Sequence, residues 1–254
     1  MYRARPPDGI AWVTGASSGI GREVAQELVR RGYKVAATSR RRPELDELAK
    51  RSRTLFSFPC DLTDRAATAT TVSRIEKEIG PIALAFLNAG IYFIADLKVF
   101  SADVAWRTFE TNIGGTINCL DPLLSAMERR GMGQIAITAS LAGYGGIGGS
   151  FGYGSTKAAL IYMAEALRLG YATKGITVQI VNPGFVHTAM TAENKFEMPF
   201  IMGAERAAAR ICQGFEKSGF EIAFPKRLAL GFKAMRHLPY AMYFPAMRRM
   251  AKRA

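Results

Sequence analysis

Cysteine and histidine are scarce in this 254-residue chain: Cys60, Cys119 and Cys212 are the cysteines, His187 and His237 the histidines. The cysteines are odd in number, far apart and never in a Cys-x-x-Cys pair. That excludes a disulfide framework and fits a reducing, cytoplasmic compartment. With so few thiolate or imidazole ligands, no metal site is expected. Long apolar runs are missing as well. The longest, Ile82 to Leu97, is broken by Asn88, Gly90 and Asp96, and is too short and too polar to span a bilayer. Met1 to Asp8 carries two arginines and no apolar h-region, so no signal peptide is expected. Acidic residues are outnumbered, 21 Asp and Glu against 34 Lys and Arg for a net charge of +13, and none occurs after Pro225.

What is present suits one domain over residues 1–254. A hydrophobic content of 49% can bury a large core, and neither a Pro/Ser-rich linker nor an internal repeat divides the chain. Short β-rich runs alternate with helical periods. Strands are expected at Ile10 to Thr14, Tyr33 to Ser39, Thr54 to Pro59, Ile82 to Leu87, Gln134 to Ala139, Thr177 to Val181 and Glu221 to Phe224. Ile20, Val24 and Leu28 mark the buried face of a first helix that Gly32 stops. A long helix is expected from about Ala102 to Arg129, with Trp106, Phe109, Ile113, Ile117 and Leu120 on its buried side. Further helices are expected over Tyr153 to Tyr171 and near Ala204 to Phe215. Strands separated by helices of this length imply parallel crossovers: an α/β, Rossmann-type doubly wound parallel sheet with helices on both faces. Ligands on such sheets bind at the carboxyl ends of the strands.

The first strand-to-helix turn reads Thr14-Gly15-Ala16-Ser17-Ser18-Gly19-Ile20-Gly21. Gly15, Gly19 and Gly21 permit a sharp bend and a close backbone approach to a pyrophosphate, which the start of the following helix attracts. Gly15, Ser17, Ser18, Gly19, Ile20 and Gly21 are therefore expected to bind a dinucleotide. The second strand ends in Ser39-Arg40-Arg41-Arg42, with no carboxylate until Glu44. A carboxylate there would hold the ribose 2′-OH of NAD, whereas Arg40, with Ser39 and Arg41, can receive a 2′-phosphate. NADP(H) is thus expected over NAD(H). Arg41 and Arg42 also read as a solvated basic turn. Asp61, followed by Leu62, can accept from an adenine amino group or cap a helix.

Tyr153 and Lys157 are one helical turn apart, and Ser140 lies thirteen residues upstream of Tyr153. An ammonium beside the phenol is expected to favour phenolate and lower the tyrosine pKa from near 10. Tyr153 can then exchange a proton with a substrate oxygen, and Ser140 can hold that oxygen. Tyr and Lys at this spacing are common as surface packing. The serine and the glycine turn shift the reading toward catalysis.

In these motifs, taken in order, the chain resembles the short-chain dehydrogenase/reductase family from about Ile10 to Phe224. The match continues through Asn88-Ala89-Gly90, Asn112, Ser140, Tyr153, Lys157, Pro183-Gly184 and Thr188. The resemblance implies that Asn112 helps hold a water linking Lys157 to solvent. It also implies that Asn88, Ala89 and Gly90 shape the cofactor floor, and that Pro183, Gly184, Val186 and Thr188 meet the nicotinamide side. Asp61 resembles the family's adenine contact, and Lys157 can reach the nicotinamide ribose. A homodimer or homotetramer through the long helices is implied too. Leu87 departs from the more usual Asn-Asn-Ala-Gly, and His187 stands where a small or acidic residue is frequent. The implied activity is hydride transfer between nicotinamide and a carbonyl or alcohol. The competing reading is a catalytically silent NADP-binding protein or a membrane-peripheral sensor.

On the substrate side, Leu141, Tyr144 and Ile147 flank a glycine-rich loop, and Met190, Phe196 and Phe200 belong to an apolar segment that reads as a lid. These residues suggest a hydrophobic ketone, aldehyde or secondary alcohol, although each also suits simple packing. Residues 225–254 form a basic, apolar extension. It can lie on an anionic membrane surface, each basic residue contributing about 1 kcal/mol, or fold across the pocket or a partner subunit. Without a recognition motif beside the charge, nucleic acid is not an expected partner.

Overall fold

The computed structural model describes residues 1–93, 100–192 and 197–253, with the backbone alone from 250 onward. Seven parallel strands form one sheet: β1 (Ile10–Thr14), β2 (Val35–Thr38), β3 (Leu55–Ser57), β4 (Ile82–Leu87), β5 (Gly133–Thr138), β6 (Ile176–Pro183) and β7 (Glu221–Phe224). Their spatial order is β3-β2-β1-β4-β5-β6-β7, so the chain reverses its direction of winding between β1 and β4. That reversal opens a crevice at the carboxyl ends of β1 and β4.

The helices are α1 (Gly19–Arg30), α2 (Arg42–Ala49), α3 (Arg65–Glu78), α4 (Ala102–Phe109), α5 (Gly115–Arg130), α6 (Phe151–Gly170), α7 (Ala204–Phe215), α8 (Lys226–Arg236) and α9 (Tyr240–Arg253). They cover both faces and make two cores. Strand β1 is buried along its whole length and feeds both: Trp12 points into one, Ala11 and Val13 into the other. A strand buried on two sides reads as an unbroken apolar run, which is why this one was visible in the sequence. The Trp12 indole satisfies its N–H by donating to Thr38 Oγ1 at 2.9 Å. Asp64 caps α3, accepting from the Ala67 N–H at 2.9 Å.

The long helix departs from expectation. Between α4 and α5 the chain makes a π turn over Glu110–Gly114. The buried side runs through Thr108, Asn112, Thr116, Cys119, Leu123 and Met127, and its first three members are polar. Trp106 and Ile117, expected inside, are 73% and 47% exposed. The last two helices lean on the domain: Ala229, Phe232, Tyr243 and Met247 are buried within its larger core.

Candidate active site

The crevice is built where β1, β4 and β5 end. Thr14 ties two of these ends together, its Oγ1 accepting from the N–H groups of Asn88 at 2.9 Å and Ala89 at 3.1 Å. Asn88 in turn donates to the Thr14 carbonyl at 3.3 Å and accepts from Thr138 Oγ1 at 3.3 Å. The glycine turn lies directly on this floor. At Gly15 (φ +67°) a Cβ would come within 2.9 Å of Ala89 Cα, and at Gly21 within 2.3 Å of the Gly15 carbonyl oxygen. A side chain at either position would push the turn off its support.

Among the described residues no side chain caps the start of α1, whose N-cap is Ser18. Ser18, Gly19 and Ile20 line the crevice there. Beside them the Arg41 guanidinium donates to Ser17 Oγ (2.9 Å) and Ser18 Oγ (2.6 Å). The Ser39 hydroxyl accepts from the Arg41 backbone N–H at 3.1 Å. Arg40 turns toward Asp61 instead, at 3.8 Å, and is exposed. Asp61 accepts from the backbone and hydroxyl of Thr63 at 3.0 and 2.8 Å, and Leu62 beside it is buried. A helix start, two hydroxyls and a guanidinium fork make a donor set that fits the phosphates of a dinucleotide.

Opposite this cradle, α6 presents Tyr153 and Lys157. A tight turn over Leu141–Gly143 follows β5 and packs on that helix so closely that a Cβ on Gly143 would lie 2.7 Å from the Lys157 carbonyl carbon. Ser140, at the head of the turn, accepts from the Ala142 N–H at 3.1 Å and donates to the Pro183 carbonyl at 3.4 Å. Lys157 is only 3% exposed. Its Nζ donates to the Thr138 carbonyl at 2.8 Å and lies 5.4 Å from the Tyr153 ring centre.

Burial dominates both titrations. It pushes the Tyr153 phenol up to about 12, against a lowering by the Ser140 hydroxyl and with a further rise from Tyr92. It brings the Lys157 ammonium down to about 8. The expected lowering of the phenol by its lysine is not seen: burial raises it instead.

Asn112 sits in the π turn, fully buried. Its Oδ1 accepts from the Ile91 N–H at 2.8 Å, while its Nδ2 donates to the Ile91 carbonyl and to Thr156 Oγ1, each at 3.1 Å. It thereby holds the segment after β4 against α6. Gly90 lies between them, where a Cβ would be 3.1 Å from Asn112 Oδ1 and 3.7 Å from Lys157 Nζ.

These elements enclose a cleft of about 170 Å³. From the residues expected in the sequence it gathers Gly15, Ser18, Gly19, Ile20, Asn88, Gly90, Ser140, Tyr153, Lys157, Pro183, Gly184, Val186, Thr188 and Met190. Ser17, Gly21, Ala89, Ser39, Arg40, Arg41, Asp61, Leu62 and Asn112 stand around or behind that lining. The structure does not bring four of the expected substrate residues, Leu141, Tyr144, Ile147 and Phe200, to it. Leu141 is buried in the core, Ile147 packs against that core, and the Tyr144 hydroxyl is taken by Glu221 and by Asn182 Nδ2 at 3.1 Å in a different cavity. Phe200 is exposed with a left-handed backbone (φ +58°), and Phe196 lies outside the described residues. Thr138, Ala139, Ala189 and Thr191 also line the cleft. Tyr92 meets the Tyr153 ring edge-on, with centroids 5.0 Å apart. Its place just beyond the strand end, four residues after Asn88, was the only signal for it.

A family model described as short chain dehydrogenase matches residues 9–198. An uncharacterized oxidoreductase of Myxococcus xanthus is 34% identical over 244 residues, covering 94% of this chain and 96% of that one. The 3-oxoacyl-(acyl-carrier-protein) reductase FabG of Escherichia coli is 35% identical over 187 residues, 72% and 75% of the two chains. An acetoacetyl-CoA reductase of Rhizobium meliloti is 32% identical over 181 residues, 71% and 75%. Among solved structures, a short-chain dehydrogenase from Streptomyces avermitilis superposes with a TM-score of 0.79 at 26% identity, over 89% of this chain and 91% of that one.

Proposed function

The chain belongs to the short-chain dehydrogenase family, and on that premise we propose that it is an NADP(H)-dependent reductase of hydrophobic ketones and aldehydes. The observation that carries the reading is the convergence of Ser140, Tyr153 and Lys157 on one cleft whose other wall is the glycine turn. The bound nicotinamide supplies the hydride that reduces the carbonyl carbon. The protein's own residues do the rest. Ser140 donates to the carbonyl oxygen and holds it, and Tyr153, kept neutral by its surroundings, gives that oxygen its proton. Lys157 steadies the phenolate left behind and draws the next proton toward it, with Asn112 fixing the strand end beside it. Arg41, together with Ser17, Ser18 and Ser39, receives the 2′-phosphate, which favours NADP(H) over NAD(H).

Met190, half-exposed in the cleft lining, and Ala189 beside it give the cleft apolar surface, which suits a lipophilic substrate. The E. coli and R. meliloti relatives carry the names of reductases of 3-oxoacyl and acetoacetyl thioesters. These names support reduction as the working direction and make 3-oxoacyl thioesters substrates worth testing.

Purified protein mixed with NADPH and a panel of lipophilic ketones, aldehydes and 3-oxoacyl thioesters is expected to consume NADPH absorbance with at least one of them. Tyr153→Phe should keep cofactor binding and lose about 10²–10⁴-fold in turnover. Undiminished turnover in that variant would remove the proposed acid. Tight NADPH binding with no turnover across the panel would favour a silent binding protein.

A further inference from the structure

Downstream of Phe224 the chain carries eight basic residues, Lys226, Arg227, Lys233, Arg236, Arg248, Arg249, Lys252 and Arg253, and no Asp or Glu. Helices α8 and α9 fasten to the domain through Ala229 and Phe232 of one and Tyr243 and Met247 of the other, with Leu228 and Met235 half-buried beside them and Lys233 paired with Glu221. Other side chains face outward. Leu230, Tyr240, Met242 and Phe244 are 66%, 77%, 59% and 52% exposed. Tyr240 and Phe244, one turn apart, stack with centroids 5.5 Å apart and planes at 16°, a flat aromatic plate on the outside of α9. Arg248 continues the same stripe one turn further, and Lys226, Arg227, Arg236 and Arg249 are exposed as well.

A lone exposed apolar side chain needs no explanation. Four within the fifteen residues 230–244, in a segment whose own charged side chains are all basic, mark a surface made to be covered. Charge and shape of chemistry narrow the occupant. A second copy docked through the same face would set like charges against one another. A nucleic acid would answer the cations and rings but leave the aliphatic Leu230 and Met242 unmatched. A bilayer with anionic headgroups answers all of them: cations to the headgroups, tyrosine and phenylalanine at the interface, leucine and methionine below it.

We propose that α8 and α9 form a docking surface for anionic lipid bilayers. The surface is coupled to the catalytic cleft. The Tyr243 hydroxyl donates to the Gly146 carbonyl at 2.9 Å, in the loop that follows Ser140. Leu228 packs on Gly184, a residue of the cleft wall, where a Cβ would be 3.3 Å from its Cδ2. Docking therefore engages helices that share a wall with the site.

The test is flotation of the full-length protein with vesicles of phosphatidylcholine alone and of phosphatidylcholine mixed with phosphatidylglycerol. It reads binding without turnover, so its outcome is independent of the proposed reaction. Binding is expected only to the mixed vesicles, falling steeply as salt shortens the Debye length. Arg248→Glu with Arg249→Glu should weaken it by about tenfold or more. Tyr240→Ser with Phe244→Ser should weaken it separately. All four side chains are exposed, so circular dichroism and NADPH binding should match the parent. Three results would overturn the proposal: no binding to the mixed vesicles, equal binding to both kinds, or binding that neither double variant weakens. Tighter binding to an oligonucleotide than to the mixed vesicles, or a dimer broken by the same variants in protein that ignores vesicles, would give the face to another occupant.

Discussion

Lys157 lies 5.4 Å from the centre of the Tyr153 ring while its Nζ donates to the Thr138 carbonyl at 2.8 Å. The lysine is thus anchored to strand β5 and lies over the face of the phenol ring. Burial shifts both groups toward their neutral forms, tyrosine upward from 10.0 to about 12 and lysine downward from 10.5 to about 8. Near neutral pH the result is a phenol that still holds its proton and an ammonium that still holds its charge. That is the pair a carbonyl reduction needs at its start.

The pH dependence of reduction follows from this. Activity should decline as pH rises through about 8, where Lys157 loses its charge, while Tyr153 keeps its proton to about 12 and contributes nothing to that decline. A pH profile of kcat/KM checks it. In Lys157→Arg the decline near pH 8 should vanish, since a guanidinium does not titrate there. A decline left in place by that substitution would belong to some other group.

Lys157 should also cost stability. Its folded pKa lies below its unfolded one, so between about pH 8 and 10.5 the unfolded chain holds a proton that the native protein has released. Stability therefore rises with pH across that window, and below it the penalty is present in full. Lys157→Met is expected to remove reductase activity yet raise Tm at pH 7 by about 2–4 °C, for a net gain on the order of 1 kcal/mol. Calorimetry at pH 7 and again near pH 10.5 should show the gain shrinking. A gain that stays constant would mean that charge burial is not its source.

Of the two adjacent arginines, Arg41 meets Ser17 and Ser18 and Arg40 reaches toward Asp61. Arg41→Ala is expected to weaken NADPH binding by about tenfold or more, the worth of a charge-assisted hydrogen bond, and to leave NADH nearly untouched. Arg40→Ala should have the smaller effect. Fluorescence titration of both variants with both cofactors decides the matter. Equal losses for NADH and NADPH would defeat the phosphate reading.

Asn112 spends its amide on Ile91 and Thr156 in a fully buried position. Asn112→Ala would strand those partners, at a cost of about 2–4 kcal/mol by the usual penalty for unsatisfied buried groups. Because the strand end beside Gly90 and Lys157 would lose its clamp, kcat should fall more than KM rises. A variant with parental Tm and kcat would reduce Asn112 to a bystander.

How far the sequence disclosed this protein depended on whether a residue's role was local. The strands were legible because a parallel sheet covered on both faces demands continuous apolar runs, as in β1. The glycine turn was legible because its backbone conformation excludes side chains. Tyr153 and Lys157 could be paired by helical spacing, but spacing says nothing of depth, and depth set the sign of the phenol's shift. The choice between Arg40 and Arg41 lay in the twist of an irregular turn, and the aim of Tyr144 in where Glu221 and Asn182 stand on strands far along the chain. The phase of the long helix failed for a related reason. Its buried side passes through Thr108, Asn112 and Thr116, polar residues that no apolar pattern marks.

That phase has a consequence for assembly. Trp106 on α4 and Ile117 on α5 face solvent eleven residues apart, and α6 beside α4 exposes Tyr162 and Leu169, seven residues apart on one stripe. Covering a tryptophan of this kind yields about 2–3 kcal/mol, and a two-fold axis uses each such residue twice. The α4–α5 and α6 stripes of one copy are therefore expected to cover those of another, giving a homodimer or a tetramer built from such dimers. Light scattering should report a multiple of the 27.7 kDa chain. Trp106→Glu with Ile117→Glu should shift it toward monomer while NADPH binding persists, because neither side chain lines the cleft. A parental mass in the double variant, or a monomer in the parent at micromolar concentration, would show that these stripes are left bare.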